Sequence, residues 1–265
     1  MKQLVYDVGM HNGDDTSQYL RRGCKVVAIE ANPHLCERNR KRFSNEIAGG
    51  DLVMLNVGVT RQPGTLSFWI CDDVTEWSSF DVRIASRNGS RHHAIDIDCL
   101  SMDTIMDRYG KAEYVKIDIE GNDRICLQSM RTDQYPRYIS IEMDHDERGA
   151  QDIERLREMG YHKFKIICQN HLWADVTPSN RWMYGLGNNH RLNRTVRSLA
   201  PRLPLRLGRN SRLYRFGSSG PFGEDTCGRW RSYRETLATW AFLREVDKKL
   251  ATRGLGWWFD IHATR

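Results

Sequence analysis

Residues 5–16 read VYDVGMHNGDDT. An apolar strand ends in Asp7, Gly9 and Gly13 bracket a turn, and the amphipathic stretch Asp14–Arg22 follows as a helix. Glycines at such a turn let the backbone approach a ligand closely and aim helix N-terminal amides at it. The spacing is GxxxG, unlike the GxGxxG loop that cradles a dinucleotide pyrophosphate. A carboxylate on that strand repels a pyrophosphate and suits the cationic end of a ligand, an ammonium or a sulfonium.

The next stretch outward, VVAIEANP at 26–33, ends a second strand in Glu30, 23 residues after Asp7. In doubly wound folds an acid there accepts hydrogen bonds from both hydroxyls of an adenosine ribose; a glutamate that only solvates a strand end is the plainer alternative. Strands are expected at Gln3–Val8, Lys25–Glu30, Val53–Val59, Glu113–Asp118, Tyr138–Met143 and His162–Cys168, with further helices at Pro33–Asn45, Asn122–Met130 and Glu147–Met159. Alternating strands and helices with continuously apolar strand runs predict an α/β fold around a buried parallel sheet. Thr65–Cys71 alternates as a hairpin strand does, and polar Asp72–Ala94 reads as a surface excursion of the kind that carries substrate contacts.

Two more strand ends carry chemistry. YVKIDIEGND at 114–123 brings Asp118 and Glu120 into a loop with Gly121, and Asp118 meets Asp7 at the switch point if the first and fourth strands are neighbours. YISIEMDHDE at 138–147 ends in Glu142, Asp144, His145 and Asp146. Such clusters serve a hard metal through carboxylates, here Asp118, Glu142 and Asp144, or a general base, here His145. A solvated strand end remains the alternative.

The 265 residues have the composition of a globular protein, with a net charge of +6. No apolar run approaches the length of a transmembrane helix, and the first residues have no secretory h-region. Seven dispersed cysteines without a CxxC pair argue for reduced thiols in a cytoplasm. No acid lies between Asp175 and Glu224, whereas nine arginines do. Arginine without lysine suits bidentate contact with phosphate or carboxylate, so an anionic acceptor is expected there, against the alternative of a solvated basic surface. The tryptophans at 230, 240, 257 and 258 read as packing first and as a sugar-stacking platform second.

Taken in order, DVGMHNGD, AIEANP, LSMDTIMD, VKIDIEG and IEMDH resemble the FkbM-type class I S-adenosylmethionine-dependent methyltransferases over roughly residues 3–170. The resemblance implies a seven-stranded Rossmann-like sheet with helices on both faces and a final antiparallel strand, expected near Trp173–Val176. It places Asp7, Gly9, Asn12 and Gly13 around the methionine moiety. Glu30, Ala31 and Asn32 then lie at the ribose, Asn56 and Val57 near the adenine, and Asp118, Glu120 and His145 toward the acceptor. It implies O-methylation of a hydroxyl, commonly of a sugar in a glycan, glycolipid or natural product, with His145 as base and Mg2+ or another divalent cation as the alternative or additional aid. The expected organisation is a cofactor-binding domain at 1–176, with 72–94 as its substrate-loop insertion, and a basic extension at 177–265 acting as lid or acceptor-binding element. A carbohydrate-containing, anionic acceptor is the expected partner; association with a membrane surface and a homo-oligomer stay open. Two rival readings compete. A nicotinamide-dependent nucleotide-sugar enzyme lacks its pyrophosphate loop here, and an RNA-binding protein or RNA methyltransferase would use the basic third, which has no RRM, KH or zinc-finger pattern.

Overall fold

The computed structural model describes residues 2–143, 148–169, 218, 220–226, 228–251 and 258–265. The chain divides into two compact units, Met1–Ile141 and Glu142–Arg265.

The first unit is built on parallel strands. β1 (Leu4–Val8) pairs with β2 (Lys25–Ile29) on one side and, after a long excursion of the chain, with β7 (Tyr114–Ile117) on the other. β3 (Leu52–Leu55) extends the sheet beyond β2, and β8 (Tyr138–Glu142) extends it beyond β7. Val5, Tyr6 and Val8 are completely buried, as the apolar side chains of a central parallel strand covered on both faces are. The chain order therefore reverses at β1. The crevice beyond the carboxyl ends of β1 and β7 is the switch point at which open α/β sheets take ligands.

Local chemistry sets the helices. α1 (Asp14–Arg21) starts after Gly13, whose φ of 77° is left-handed, and two acids in its first turn complement the helix dipole. α2 (Pro33–Arg42) has Pro at its first position and Asn32 as N-cap, its side chain accepting from the amides of His34 and Leu35. The expected single helix at 33–45 breaks at Phe43 into α2 and the short α3 (Ser44–Ala48).

The expected strand Val53–Val59 is two strands. After β3 the chain leaves the sheet at Asn56, and β4 (Gly58–Val59) joins a separate three-stranded sheet with β5 (Gly64–Cys71) and β6 (His92–Leu100). β6 starts at His92, so the polar excursion ends at Arg91, and its middle carries the helical turn α4 (Val82–Ala85). Phe68, Ile70, Ile97 and Cys99 form the core of this sheet, with Ala31, Phe80 and Ile95 packed against it. Burial of each such side chain contributes roughly 1.5–3 kcal/mol, which anchors the insertion to the end of β2. The motif residues LSMDTIMD supply α5 (Met102–Tyr109), which sequence periodicity does not single out, and α6 (Asp123–Gln128) follows β7.

The second unit contains α7 (Arg148–Glu158), β9 (Lys163–Cys168), α8 (Tyr233–Ala251) and β10 (Phe259–Thr264). β10 runs antiparallel to β9, with Ile261 opposite Ile166. Trp240 lies edge-on to Phe259 at 5.8 Å, so this tryptophan packs the unit's core as expected. The antiparallel strand expected near Trp173–Val176 thus has its counterpart in Phe259–Thr264, a run that the sequence marks only as part of an aromatic cluster; residues 173–176 lie outside the described residues. The seven strands outside the three-stranded sheet lie in the order β3-β2-β1-β7-β8 in the first unit and β10-β9 in the second. The α/β Rossmann-like expectation stands. Among the described residues no helix is long and apolar enough to cross a membrane.

Candidate functional site

Two loops of the first unit meet at the crevice. The loop after β1 turns at Gly9, whose amide and that of Met10 both donate to the Ile29 carbonyl at 2.9 and 3.0 Å. Gly9 has φ 85°, and a Cβ placed on it would lie 1.8 Å from the carbonyl oxygen of Asp118. No side chain fits there, so glycine is required both by conformation and by the approach of the loop after β7. Gly13 is restricted likewise, because a Cβ would come within 2.7 Å of the Phe43 ring. Two non-glycine residues of these loops, His11 and Glu120, also have positive φ, each 45°. Such conformations cost free energy and concentrate where a site imposes them.

Glu30, 8% exposed, sits just past the end of β2. One carboxylate oxygen accepts from the amide of His11 at 2.8 Å, the other from the amide of Asn32 at 2.8 Å. Burial pushes this carboxyl up to about 7, and the backbone amides of Asn32, His11 and Ala31 hold it back from rising further. Asn32 is 2% exposed, and its side chain is occupied in capping α2, so it reaches Glu30 through its backbone amide. The Asn56 amide group donates to the carbonyls of Glu30 and Ala31 at 3.0 and 2.9 Å, fixing the turn between β2 and α2. The Asn12 side-chain oxygen accepts from the Asp14 amide at 3.0 Å, and Arg42 donates to the Asn12 carbonyl at 2.6 Å. Val57 is half-buried beside Asn56.

Asp7 is completely buried, so it lies behind the glycine loop. One of its oxygens accepts from the Thr16 hydroxyl at 2.5 Å, and the other has no hydrogen-bond partner among the described residues. Burial raises its carboxyl to about 6 against the pull of Lys116. Lys116 itself, 6% exposed on β7, lies 3.1 Å from Asp118, 3.2 Å from Asp15 and 3.9 Å from Asp7. Three carboxylates around one ammonium leave the floor of the crevice net negative. Lys116 escaped sequence reasoning, although one lysine inside an otherwise apolar strand was a signal that could have found it.

The far wall is the loop after β7. Asp123 accepts from the amides of Ile119 and Gly121, both at 3.2 Å, and burial together with Asp118 pushes its carboxyl up to about 7. Glu120 is pushed up to about 7 by burial and then by Asp118, with Arg87 opposing. The insertion grips this loop. The Ser79 hydroxyl donates to the Glu120 carbonyl at 2.6 Å, and Arg87 donates to its carboxylate at 3.2 Å. Ile84 presses on Gly121, where a Cβ would be only 2.8 Å away. None of Ser79, Ile84 and Arg87 is legible in the sequence, because nothing local says that they meet a loop some forty residues on.

Of the three candidate metal ligands, Asp118 is engaged by Lys116, Asp144 lies outside the described residues, and Glu142 ends β8. Among the described residues no three His, Cys, Asp or Glu side chains are grouped to hold an ion. His145, the expected base, and the arginine-rich stretch at 191–215 also lie outside the described residues.

Comparison with known proteins points to the same elements. A 61-residue stretch is 34% identical to the "Probable ribosomal RNA small subunit methyltransferase A" of Methanospirillum hungatei, covering 23% of this chain and 24% of that protein. The chain thus spans about a quarter of that curated relative's length. Among solved structures it is similar to the methyltransferase FkbM of Methylobacillus flagellatus, at 16% identity and a TM-score of 0.45 over 62% of this chain and 40% of that one. It is also similar to a methyltransferase of Thiobacillus denitrificans in complex with S-adenosylhomocysteine, at 11% identity and a TM-score of 0.37 over 100% and 86% of the two chains. The family model described as the methyltransferase FkbM domain matches residues 7–163, more than half of the chain and every loop of the crevice. The protein belongs to the FkbM methyltransferase-domain family.

Proposed function

We propose that the crevice binds S-adenosylmethionine and that the protein is an O-methyltransferase acting on a hydroxyl, most suitably of a sugar. The observation that carries the reading is Glu30. Its two oxygens accept from the amides of His11 and Asn32, and a carboxylate has further lone pairs with which to accept from ribose hydroxyls. The site fits that cofactor in two further respects. Gly9 keeps the loop backbone bare at the switch point, and the acidic floor around Lys116 attracts a cationic sulfonium or ammonium while repelling a pyrophosphate. The same charge disfavours a nicotinamide dinucleotide.

When bound, S-adenosylmethionine supplies the methyl group and a good leaving group. The protein's task is to hold the acceptor hydroxyl and take its proton. Glu120, half-buried at the crevice and held in a fixed conformation by Ser79 and Arg87, is the described side chain suited to that role. His145 remains the alternative base. The basic extension, with Arg202, Arg206 and Arg209, is assigned to an anionic part of the acceptor, and the protein to the cytoplasm.

Thermal unfolding with S-adenosylmethionine, S-adenosylhomocysteine and NADH tests the cofactor. A ligand present at 100 times its Kd stabilises by about 2.7 kcal/mol. Stabilisation by the two sulfur nucleosides alone is expected; a response to NADH instead refutes the reading. For the acceptor, transfer of a labelled methyl group to glycans and to RNA is compared. The local likeness to a protein named as a ribosomal RNA methyltransferase makes RNA the second reading. Labelled RNA, with affinity falling steeply with salt, would displace the sugar.

A further inference from the structure

His11 occupies a pivotal position. Its amide donates to Glu30, its carbonyl accepts from the Asn39 side chain at 2.7 Å, and its backbone is left-handed, a conformation unfavourable for a residue with a Cβ. Its imidazole pairs through Nε2 with the hydroxyl of Thr75 at 2.9 Å. Thr75 opens a single helical turn, Thr75–Trp77, in the insertion between β5 and β6. Glu76 stands beside the pair, 3.9 Å from the same nitrogen. The insertion is itself rigidly placed by the Trp69–Ser79 backbone pairing and by Phe80, which fills the space over Gly58. A firm element thus holds a strained one.

Resting on the cofactor reading above, we infer that Thr75 is a positioning residue of the cofactor site: through His11 it holds the amide that orients the Glu30 carboxylate, so that the insertion is a working part of that site and not only a cover for the acceptor. The chain of contacts is Thr75 hydroxyl to His11 imidazole, His11 amide to Glu30 carboxylate, and Glu30 to the ribose hydroxyls. Cutting the first link removes the side-chain restraint on the left-handed His11 and leaves only the Asn39 contact to its carbonyl against relaxation of the backbone. The amide then turns from the carboxylate, and Glu30 loses one of its two restraints.

The test uses S-adenosylhomocysteine as probe and the full chain. Thr75→Val keeps the side chain's shape and removes its hydroxyl. Its affinity, measured by calorimetry, is expected to fall up to about ten-fold, the loss expected for one part-buried hydrogen bond. Thr75→Ser is expected to bind within about two-fold of the wild type. In a Glu30→Gln background the effect of Thr75→Val should shrink below about two-fold, because the two residues act along one path. The His11 amide resonance reads the same link without ligand. It should move upfield in Thr75→Val and stay in place in Thr75→Ser, which a general loss of stability would not produce. An unmoved amide, or an unmoved affinity for S-adenosylhomocysteine in Thr75→Val, overturns the inference. Absence of binding by the wild-type protein refutes instead the cofactor reading on which it rests.

Discussion

Glu30→Gln is a substitution whose effect should change sign with pH. Two opposing effects follow from the geometry. The carboxylate satisfies the His11 amide with one oxygen and the Asn32 amide with the other. A carboxamide has only one oxygen, so its NH2 must face one of those amides, donor against donor at 2.8 Å. An unsatisfied buried donor costs about 1–3 kcal/mol. Against this, the native carboxyl is lifted by burial from its ordinary 4.5 to about 7. A group raised in this way gives its full contribution below pH 4.5, where it is protonated in both the folded and unfolded states, and loses it as pH rises through 7. Ionising it in place costs up to about 3 kcal/mol, since each tenfold change in a proton-binding constant is worth about 1.4 kcal/mol. Glutamine avoids that cost. At pH 4 the variant should therefore be less stable than the wild type by about 1–3 kcal/mol, and at pH 8.5 it should be equal or more stable by up to about 2 kcal/mol. Urea unfolding of the ligand-free protein, followed by tryptophan fluorescence, measures the difference at the two pH values. A penalty independent of pH, or one that grows with alkalinity, would refute the reasoning, because the latter requires a carboxyl depressed by its partners.

Three further outcomes are expected. Gly9→Ala places a methyl 1.8 Å from the Asp118 carbonyl on a left-handed backbone, so it should cost about 3 kcal/mol or more and abolish binding of S-adenosylhomocysteine; calorimetric binding at wild-type strength would contradict the close approach. Lys116→Met leaves Asp7, Asp15 and Asp118 without their shared cation and should destabilise by about 3 kcal/mol in thermal unfolding, where an isosteric neutral swap on an open surface would be silent. Glu120→Gln should keep the affinity for S-adenosylhomocysteine within about two-fold while methyl transfer falls about a hundred-fold or more; unchanged turnover would move the base to another residue, with His145 the next to replace.

Glu30 shows how far linear reasoning reaches. Its position at a strand end, 23 residues after Asp7, suffices to mark it as the candidate acid for a ribose, because a doubly wound fold repeats a strand, a turn and a helix at near-constant length. Asp7, Gly9 and Asp118 are legible for the same reason, each standing at the end of an apolar run. Gly9 does more than turn the chain, however. What demands glycine is the carbonyl of a residue more than a hundred positions away. The family resemblance implies that Asn32 lies at the ribose and Asn56 near the adenine. In the structure their side chains are engaged in a helix cap and with backbone carbonyls, as polar groups near a buried turn must be.

The order of apolar runs, acids and glycines along the chain determines the parallel sheet, its crevice and the acidic character of that crevice, because each depends on period, burial and turn chemistry over a few residues. The fold alone decided which distant segments close the site. β6 and β10 find their partners by pairing across long stretches of chain, and no local pattern names those partners. The same holds for His11 with Thr75 and for Glu120 with Ser79 and Arg87. A single hydrogen bond between loops leaves no periodic trace, and it forms only after the hydrophobic packing of two sheets has brought its donor and acceptor within about 3 Å.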